Sequence, residues 1–236
     1  MIDPERLRTK PLFKGLADHE LHIILQAGRP RQMTGGDYFF MQDDPAEHVY
    51  LLEQGQVKLG QVTLEGAQVI LNVIGPGEIF GLIGFVENNL YPVSALAVND
   101  CMALSWDRLG LVRLAESYPR LALNAMNHMA VRVSEFQGQI RALATERVER
   151  RLARVLLRLV RQVGKKVESG VLIDLSVSRQ DLAEMSGTTL YTVSRILSQW
   201  DRAGLIEAGR ERVVIRSPHG LVSIAEDLTP GPFPDA

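Results

Sequence analysis

The 236-residue chain contains one cysteine, Cys101, and only 6% aromatic residues. A lone thiol excludes an internal disulfide, a cysteine-rich zinc site and a multi-cysteine iron–sulfur cluster. No apolar run approaches the ~18 residues needed to cross a bilayer. The first fourteen residues carry charges throughout and lack an apolar stretch, so no signal peptide is expected and the cytoplasm is the natural compartment. The chain also lacks a dominant charge sign. It carries 26 Lys and Arg against 28 Asp and Glu, a net −2, which alone argues against a polyanionic partner.

The charge is unevenly placed. Residues 1–144 hold 12 basic against 16 acidic side chains, residues 145–216 hold 14 against 9, and the tail from Ser217 has three acids and no base. An acidic front and a basic rear suggest two jobs, with any polyanion bound at the rear. The alternative is a solvated helix face, since Arg147, Arg150, Arg151, Arg154, Arg158 and Arg161 follow a helical pattern.

A helical lead-in, roughly Pro4 to Gln26, precedes short strands separated by turn residues. Tyr38–Met41, Val49–Leu52, Val57–Leu59, Val69–Ile74 and Ala95–Val98 read as strands. Gly35-Gly36-Asp37, Asp43-Asp44-Pro45, Glu53-Gln54-Gly55, Leu64-Glu65-Gly66 and Gly75-Pro76-Gly77 read as turns. Such spacing predicts a closed or double-sheet all-β unit over residues 1–118. The acids lie scattered in turns and no nucleophile has an evident base, so no enzyme is expected.

From Pro119 to Thr145 the period changes to about 3.5. Ala122, Met126, Met129, Val133, Phe136, Ile140 and Leu143 form one narrow stripe, the pattern of a helix that pairs with its twin. Burying that stripe would stabilise a homodimer by ~1.5–3 kcal/mol per large side chain. Packing of the helix on its own β unit is the alternative.

In residues 146–226 a helix, about Glu146 to Val163, faces Val148, Leu152, Val155, Leu156, Leu159 and Val163 inward and its arginines outward. Gly164–Gly170 reads as a loop, and Val171–Leu175 as a strand. Ser178 with Asp181 three residues on is close to a capping box. The helix it opens, Arg179–Met185, stops at Ser186-Gly187-Thr188, and a second helix runs from Thr189 through Trp200 to about Ala203. Two short helices across a glycine turn make a helix-turn-helix. Leu205–Glu207 and Val213–Ile215 flank a hairpin wing. The proline-rich end, 227–236, reads as unstructured.

Two stretches resemble the CRP/FNR superfamily of bacterial transcription regulators. Gly36-Asp37-Tyr38-Phe39-Phe40, Tyr50 through Leu59, and Pro76-Gly77-Glu78-Ile79-Phe80-Gly81 are similar to its cyclic-nucleotide-binding β-roll. Ser178-Arg179-Gln180-Asp181-Leu182-Ala183, Thr192 through Leu197, and Gly204-Leu205-Ile206 are similar to its helix-turn-helix. The resemblance implies an α+β chain: an N-terminal double-stranded β-helix, a long dimerisation helix and a C-terminal winged helix-turn-helix. It further implies a homodimer on double-stranded DNA at an inverted repeat, with RNA polymerase touched near Lys165 and Lys166, and leaves activation and repression both open. Arg195 matches the arginine that forks onto guanine; Leu190 and Tyr191 stand where relatives carry Arg-Glu, so the operator cannot be copied from them. Ser178, Arg179, Gln180, Thr189, Thr192 and Ser194 are expected on the DNA backbone.

The resemblance also implies a sensor around Gly81, Leu82, Ile83, Val93, Ser94, Met126 and Met129. Leu82 replaces the glutamate, and Val93 (or Pro92, if the loop is aligned without an insertion) the arginine that a cyclic nucleotide needs, so cyclic AMP is not expected. Haem stays open, with His19, His22, His48 and His128 as ligand candidates. So does the alternative of a regulatory module that acts through protein partners.

Overall fold

The computed structural model describes residues 7–62 and 68–227. They fall into two compact units, 1–137 and 138–236. The turn read at Leu64-Glu65-Gly66 and the tail beyond Asp227 lie outside the described residues.

In the first unit a short helix α1 (Asp18–Gln26) leads into eight strands. These are β1 (Arg29–Met33), β2 (Tyr38–Phe40), β3 (His48–Gln54), β4 (Val57–Val62), β5 (Gln68–Ile74), β6 (Ile79–Phe80), β7 (Ser94–Ala97) and β8 (Cys101–Asp107). They build two antiparallel sheets, ordered β1-β8-β3-β6 and β2-β7-β4-β5. Of the lead-in read as helix from Pro4, residues 4–6 lie outside the described residues; Leu7 and Arg8 are helical, and a 3₁₀ turn at Pro11–Phe13 follows before α1. Strands β1, β6 and β8 escape the sequence reading. β1 (Arg-Pro-Arg-Gln-Met) is polar and carries a proline, which its place at a sheet edge tolerates.

The two-residue period of a strand explains the core. Along β3, Val49 and Leu51 point into one cluster with Leu12, Leu82, Trp106, Leu111, Leu121 and Ala125. Tyr50 and Leu52 point the other way, into the roll interior with Phe40, Phe80, Tyr91, Ala95 and Cys101. Trp106 donates from Nε1 to the Ile24 carbonyl at 2.8 Å, which fixes α1 against the sheet.

After α2 (Arg108–Ser117) comes the long helix α3 (Pro119–Thr145). One face packs on the roll: Leu121 and Ala125 are buried, and Asn124 donates to the carbonyls of Leu12 and Lys14. On the stripe read as a pairing seam, Met126, Val133, Phe136, Ile140 and Leu143 are exposed, whereas Ala122 and Met129 are half-buried. One face of the helix thus packs on its own β unit, while most of the stripe lies exposed on another face.

The second unit contains α4 (Val148–Val163), β9 (Gly164–Val167), β10 (Gly170–Ile173), α5 (Arg179–Ser186), α6 (Leu190–Arg202), β11 (Ile206–Gly209), β12 (Arg212–Ile215) and α7 (Pro218–Glu226). Its sheet is ordered β11-β12-β10-β9. The segment read as a loop, Gly164–Gly170, is instead most of a β-hairpin, in which Lys165 pairs with Leu172 and Lys166 with Val171. The β-branched residues of 171–173 supply the partner strand, and this tertiary pairing overrides the poor strand propensity of Gly-Lys-Lys.

Candidate nucleic-acid interface

The local chemistry of residues 178–202 sets two helices at a tight turn. Ser178 Oγ accepts from the Asp181 amide at 3.0 Å and Asp181 Oδ2 accepts from the Ser178 amide at 2.8 Å, a reciprocal cap that starts α5. Gly187 ends it in the left-handed region, φ 63°. A Cβ there would sit 2.3 Å from Leu143 Cδ2, so the turn and the last residues of α3 are in close contact. Thr189 then caps α6, its Oγ1 accepting from the Thr192 amide at 3.2 Å.

Val193, Ile196, Leu197 and Trp200 are buried and fix which face of α6 looks out. That face carries Tyr191, Arg195, Ser198, Gln199 and Arg202, all exposed; Leu190, in step with Val193 and Leu197, is exposed as well because it stands at the N-terminal end of the helix. The Arg195 side chain is 59% exposed, and its guanidinium lies 3.9 Å from a Glu149 carboxylate oxygen. A shallow depression beside it is lined by Arg195, Gln199, Arg202 and Ala203. Gln199 and Arg202 were not picked out from the sequence, although they stand four and seven residues beyond Arg195, the helical repeat that shares a face.

Of the residues expected on the DNA backbone, Arg179, Gln180 and Thr189 are exposed; Ser178, Thr192 and Ser194 are half-buried. Gln180 also donates to Glu184 at 3.0 Å. The wing between β11 and β12 is braced by Glu207, which accepts from Arg212 at 2.8 Å and Arg216 at 2.7 Å. The Arg216 and Arg212 hydrogen bonds hold its carboxyl below the usual glutamate range.

The basic helix α4 departs from the sequence reading. Its arginines were expected to face out, yet three of them tie down backbone carbonyls. Arg151 donates to Ser186, Gly187 and Glu146, at 2.9, 3.0 and 2.8 Å. Arg150 and Arg154 both donate to the Ala225 carbonyl at the end of α7, and Arg154 also pairs with Glu146 at 2.8 Å. The last carbonyls of a helix lack partners and carry its negative dipole end, so cations are stabilising there. These charges organise the unit from inside.

The expected sensor residues do not converge. Leu82 is buried in the helix-side cluster, while Ile83 and Val93 pack against the roll interior. A Cβ on Gly81 would meet the His48 carbonyl at 3.0 Å. Ser94 Oγ accepts from the Gln42 amide at 2.9 Å, Met126 is 66% exposed and Met129 is half-buried. Leu82 and Ile83 open a single 3₁₀ turn, Leu82–Phe85, in which successive side chains point about a third of a turn apart, so the two enter different clusters. In the roll interior the Phe40 and Tyr91 rings stack at 3.6 Å, and Tyr50 stacks on Phe80 at 5.1 Å. The Tyr91 hydroxyl donates to the His48 carbonyl at 2.6 Å. Burial pushes both phenols up, so both stay neutral.

As for haem, His19 and His22 are exposed on α1, while His48 and His128 are half-buried. No histidine is fully buried among the described residues. Nor do the described residues contain a metal-binding group of three or more His, Cys, Asp or Glu. Among them no helix is long and apolar enough to cross a membrane.

Residues 30–118 match the cyclic nucleotide-binding domain family and residues 150–224 the Crp-like helix-turn-helix domain family. The chain is 31% identical over 222 residues to the Cyclic AMP receptor protein of Thermus thermophilus, covering 94% of this chain and all of that one. It is 28% identical over 205 residues to the transcriptional activator protein anr of Pseudomonas aeruginosa, covering 87% and 83%. The solved Thermus thermophilus catabolite activator protein aligns over 93% of this chain and all of that one, at 31% identity and a TM-score of 0.55. FixK2 from Bradyrhizobium japonicum, 24% identical, shares the fold over 84% of this chain and 96% of its own, with a TM-score of 0.72. The two domain families in this order, over nearly the whole length, make this chain a member of the CRP/FNR family of DNA-binding transcription regulators.

Proposed function

We propose that the chain acts as a cytoplasmic homodimer that binds an inverted-repeat operator, placing one α6 in the major groove of each half-site. The observation that carries this is the exposure of Leu190, Tyr191 and Arg195 on α6, with Arg179, Gln180 and Thr189 exposed as well and available to the DNA backbone. The exposed apolar stripe Met126, Val133, Phe136, Ile140 and Leu143 on α3 supports the two-fold pairing. Half-sites then lie about one helical turn apart (~34–36 Å).

In this reading the roll does not take cyclic AMP. Leu82 and Val93 offer neither the carboxylate nor the guanidinium that a cyclic nucleotide requires, and a phosphate buried without a cationic partner is costly. The β9–β10 hairpin, with Lys165 and Lys166 exposed, is the proposed contact to RNA polymerase. Wild-type activation by the double alanine variant would remove that contact. The test of the main reading is selection from random oligonucleotides, followed by binding at several salt concentrations. The wild-type protein should select one inverted repeat and lose affinity steeply as salt rises. Arg195→Ala should cost ~1–3 kcal/mol and relax one guanine per half-site. An unchanged selected motif in that variant would refute the contact.

A further inference from the structure

We infer that Leu190 is a specificity-determining residue that reads the C5 methyl group of a thymine in each half-site. The inference rests on the major-groove placement of α6 proposed above. Leu190 is the first residue of α6 and is 49% exposed, while the apolar core of that helix is supplied by Val193, Ile196, Leu197 and Trp200. Leu190 is in step with Val193 and Leu197, yet at the open N-terminal end of the helix its side chain stays uncovered. In a helix-turn-helix the first residues of the second helix meet the base edges. Leucine can neither donate nor accept a hydrogen bond.

The major-groove edge of each base is made of donors and acceptors, with one exception, the thymine methyl. Covering an amine or a carbonyl with leucine would strip its water and return nothing, leaving the group unsatisfied. Covering a methyl withdraws apolar surface from water on both sides. The nearby hydroxyls cannot rescue a polar base edge under Leu190, because Thr189 and Thr192 are 2.9 Å apart and Thr189 caps the helix. Tyr191, 77% exposed, carries a hydroxyl that can satisfy a neighbouring polar edge, which leaves Leu190 as the purely apolar reader. Leu190 stands five residues before Arg195, about 7.5 Å along the axis at ~1.5 Å per residue. With ~3.4 Å per base step, that separation keeps the thymine within a few steps of the guanine that Arg195 reads.

The experiment uses the full-length protein and its selected operator, with each thymine replaced in turn by deoxyuridine, which removes only the methyl. Affinity is measured by fluorescence anisotropy. One substitution near the guanine should weaken wild-type binding about fourfold per half-site, the worth of one methyl withdrawn from water. Leu190→Ala, a change on an exposed position, should bind the thymine and uracil operators equally. Three results overturn the inference: wild-type protein indifferent to every uracil, a selected half-site with no thymine near its guanine, or Leu190→Ala keeping the full preference. Failure to select any inverted repeat would instead overturn the DNA-reading geometry itself.

Discussion

Replacing Arg151 by alanine tests whether the basic helix organises the second unit or grips DNA. Its guanidinium donates to three carbonyls, those of Ser186, Gly187 and Glu146, all within 3.0 Å. Hydrogen bonds from a charged donor contribute ~1.5–3 kcal/mol each when buried. Here the site is partly open to water, so the expected loss is about 2–4 kcal/mol in all. Because α5 ends at Ser186, the loss falls on the brace of the helix-turn-helix. Urea unfolding, followed by the emission of the buried Trp200 in a Trp106→Phe background, should show a lower midpoint and an unfolding free energy reduced by that amount. Arg151→Lys should recover little, since an ammonium cannot fork across three acceptors. The reasoning is refuted if the alanine variant is as stable as its parent while its salt dependence of DNA binding flattens by about one ion, the signature of a lost phosphate contact.

Ile140→Glu puts a carboxylate on the exposed stripe of α3, and two such charges would meet across a two-fold axis. Sedimentation equilibrium should show dimer dissociation raised at least ~100-fold, the effect of several kcal/mol of like-charge repulsion and desolvation; an unchanged dimer mass would place the seam elsewhere. Glu78 is largely buried, which raises its carboxyl despite a hydrogen bond from the Gly75 amide and the nearby Lys10 and Arg132. A raised carboxyl costs stability as pH climbs through it, so Glu78→Gln should raise the melting temperature at neutral pH and leave it unchanged in acid, below the ordinary glutamate range. Equal gains at both would exclude the ionised group as the cause. Gly55→Ala should destabilise the roll by more than ~2 kcal/mol. Gly55 has φ 88°, and a Cβ would lie 2.5 Å from Cys101 Sγ and 2.6 Å from the Asp100 carbonyl. Adding Cys101→Ala should not rescue it, because the backbone clash remains; thermal melts decide.

Where a local pattern decides the structure, it was legible in the sequence. The Ser178–Asp181 cap, the glycine turn at Gly187 and the run from Pro119 to Thr145 were read directly, because caps, turns and long periods act over a few neighbouring residues. What escaped was set by distant partners. β1 has no apolar alternation and becomes a strand only because β8 offers a full-length antiparallel edge, Arg29 opposite Ser105 through Met33 opposite Cys101. The Gly164–Val167 segment is a strand for the same reason. The outward face of α6 was legible as far as Arg195, whereas the sensor grouping dissolved because Leu82 and Ile83, neighbours in one 3₁₀ turn, pack into different clusters. The arginines of α4 were misread because a helical charge pattern does not say what stands opposite it.

Those arginines bear on how the protein distinguishes its operator from bulk DNA. Residues 145–216 carry 14 cations, but Arg150, Arg151 and Arg154 are engaged with helix ends, and Arg212 and Arg216 share one carboxylate. Fewer side chains are left to displace the ions condensed on a duplex than composition suggests. Adhesion to arbitrary sequence should be correspondingly weak, so a searching molecule is released quickly from wrong sites and retained where the base edges fit.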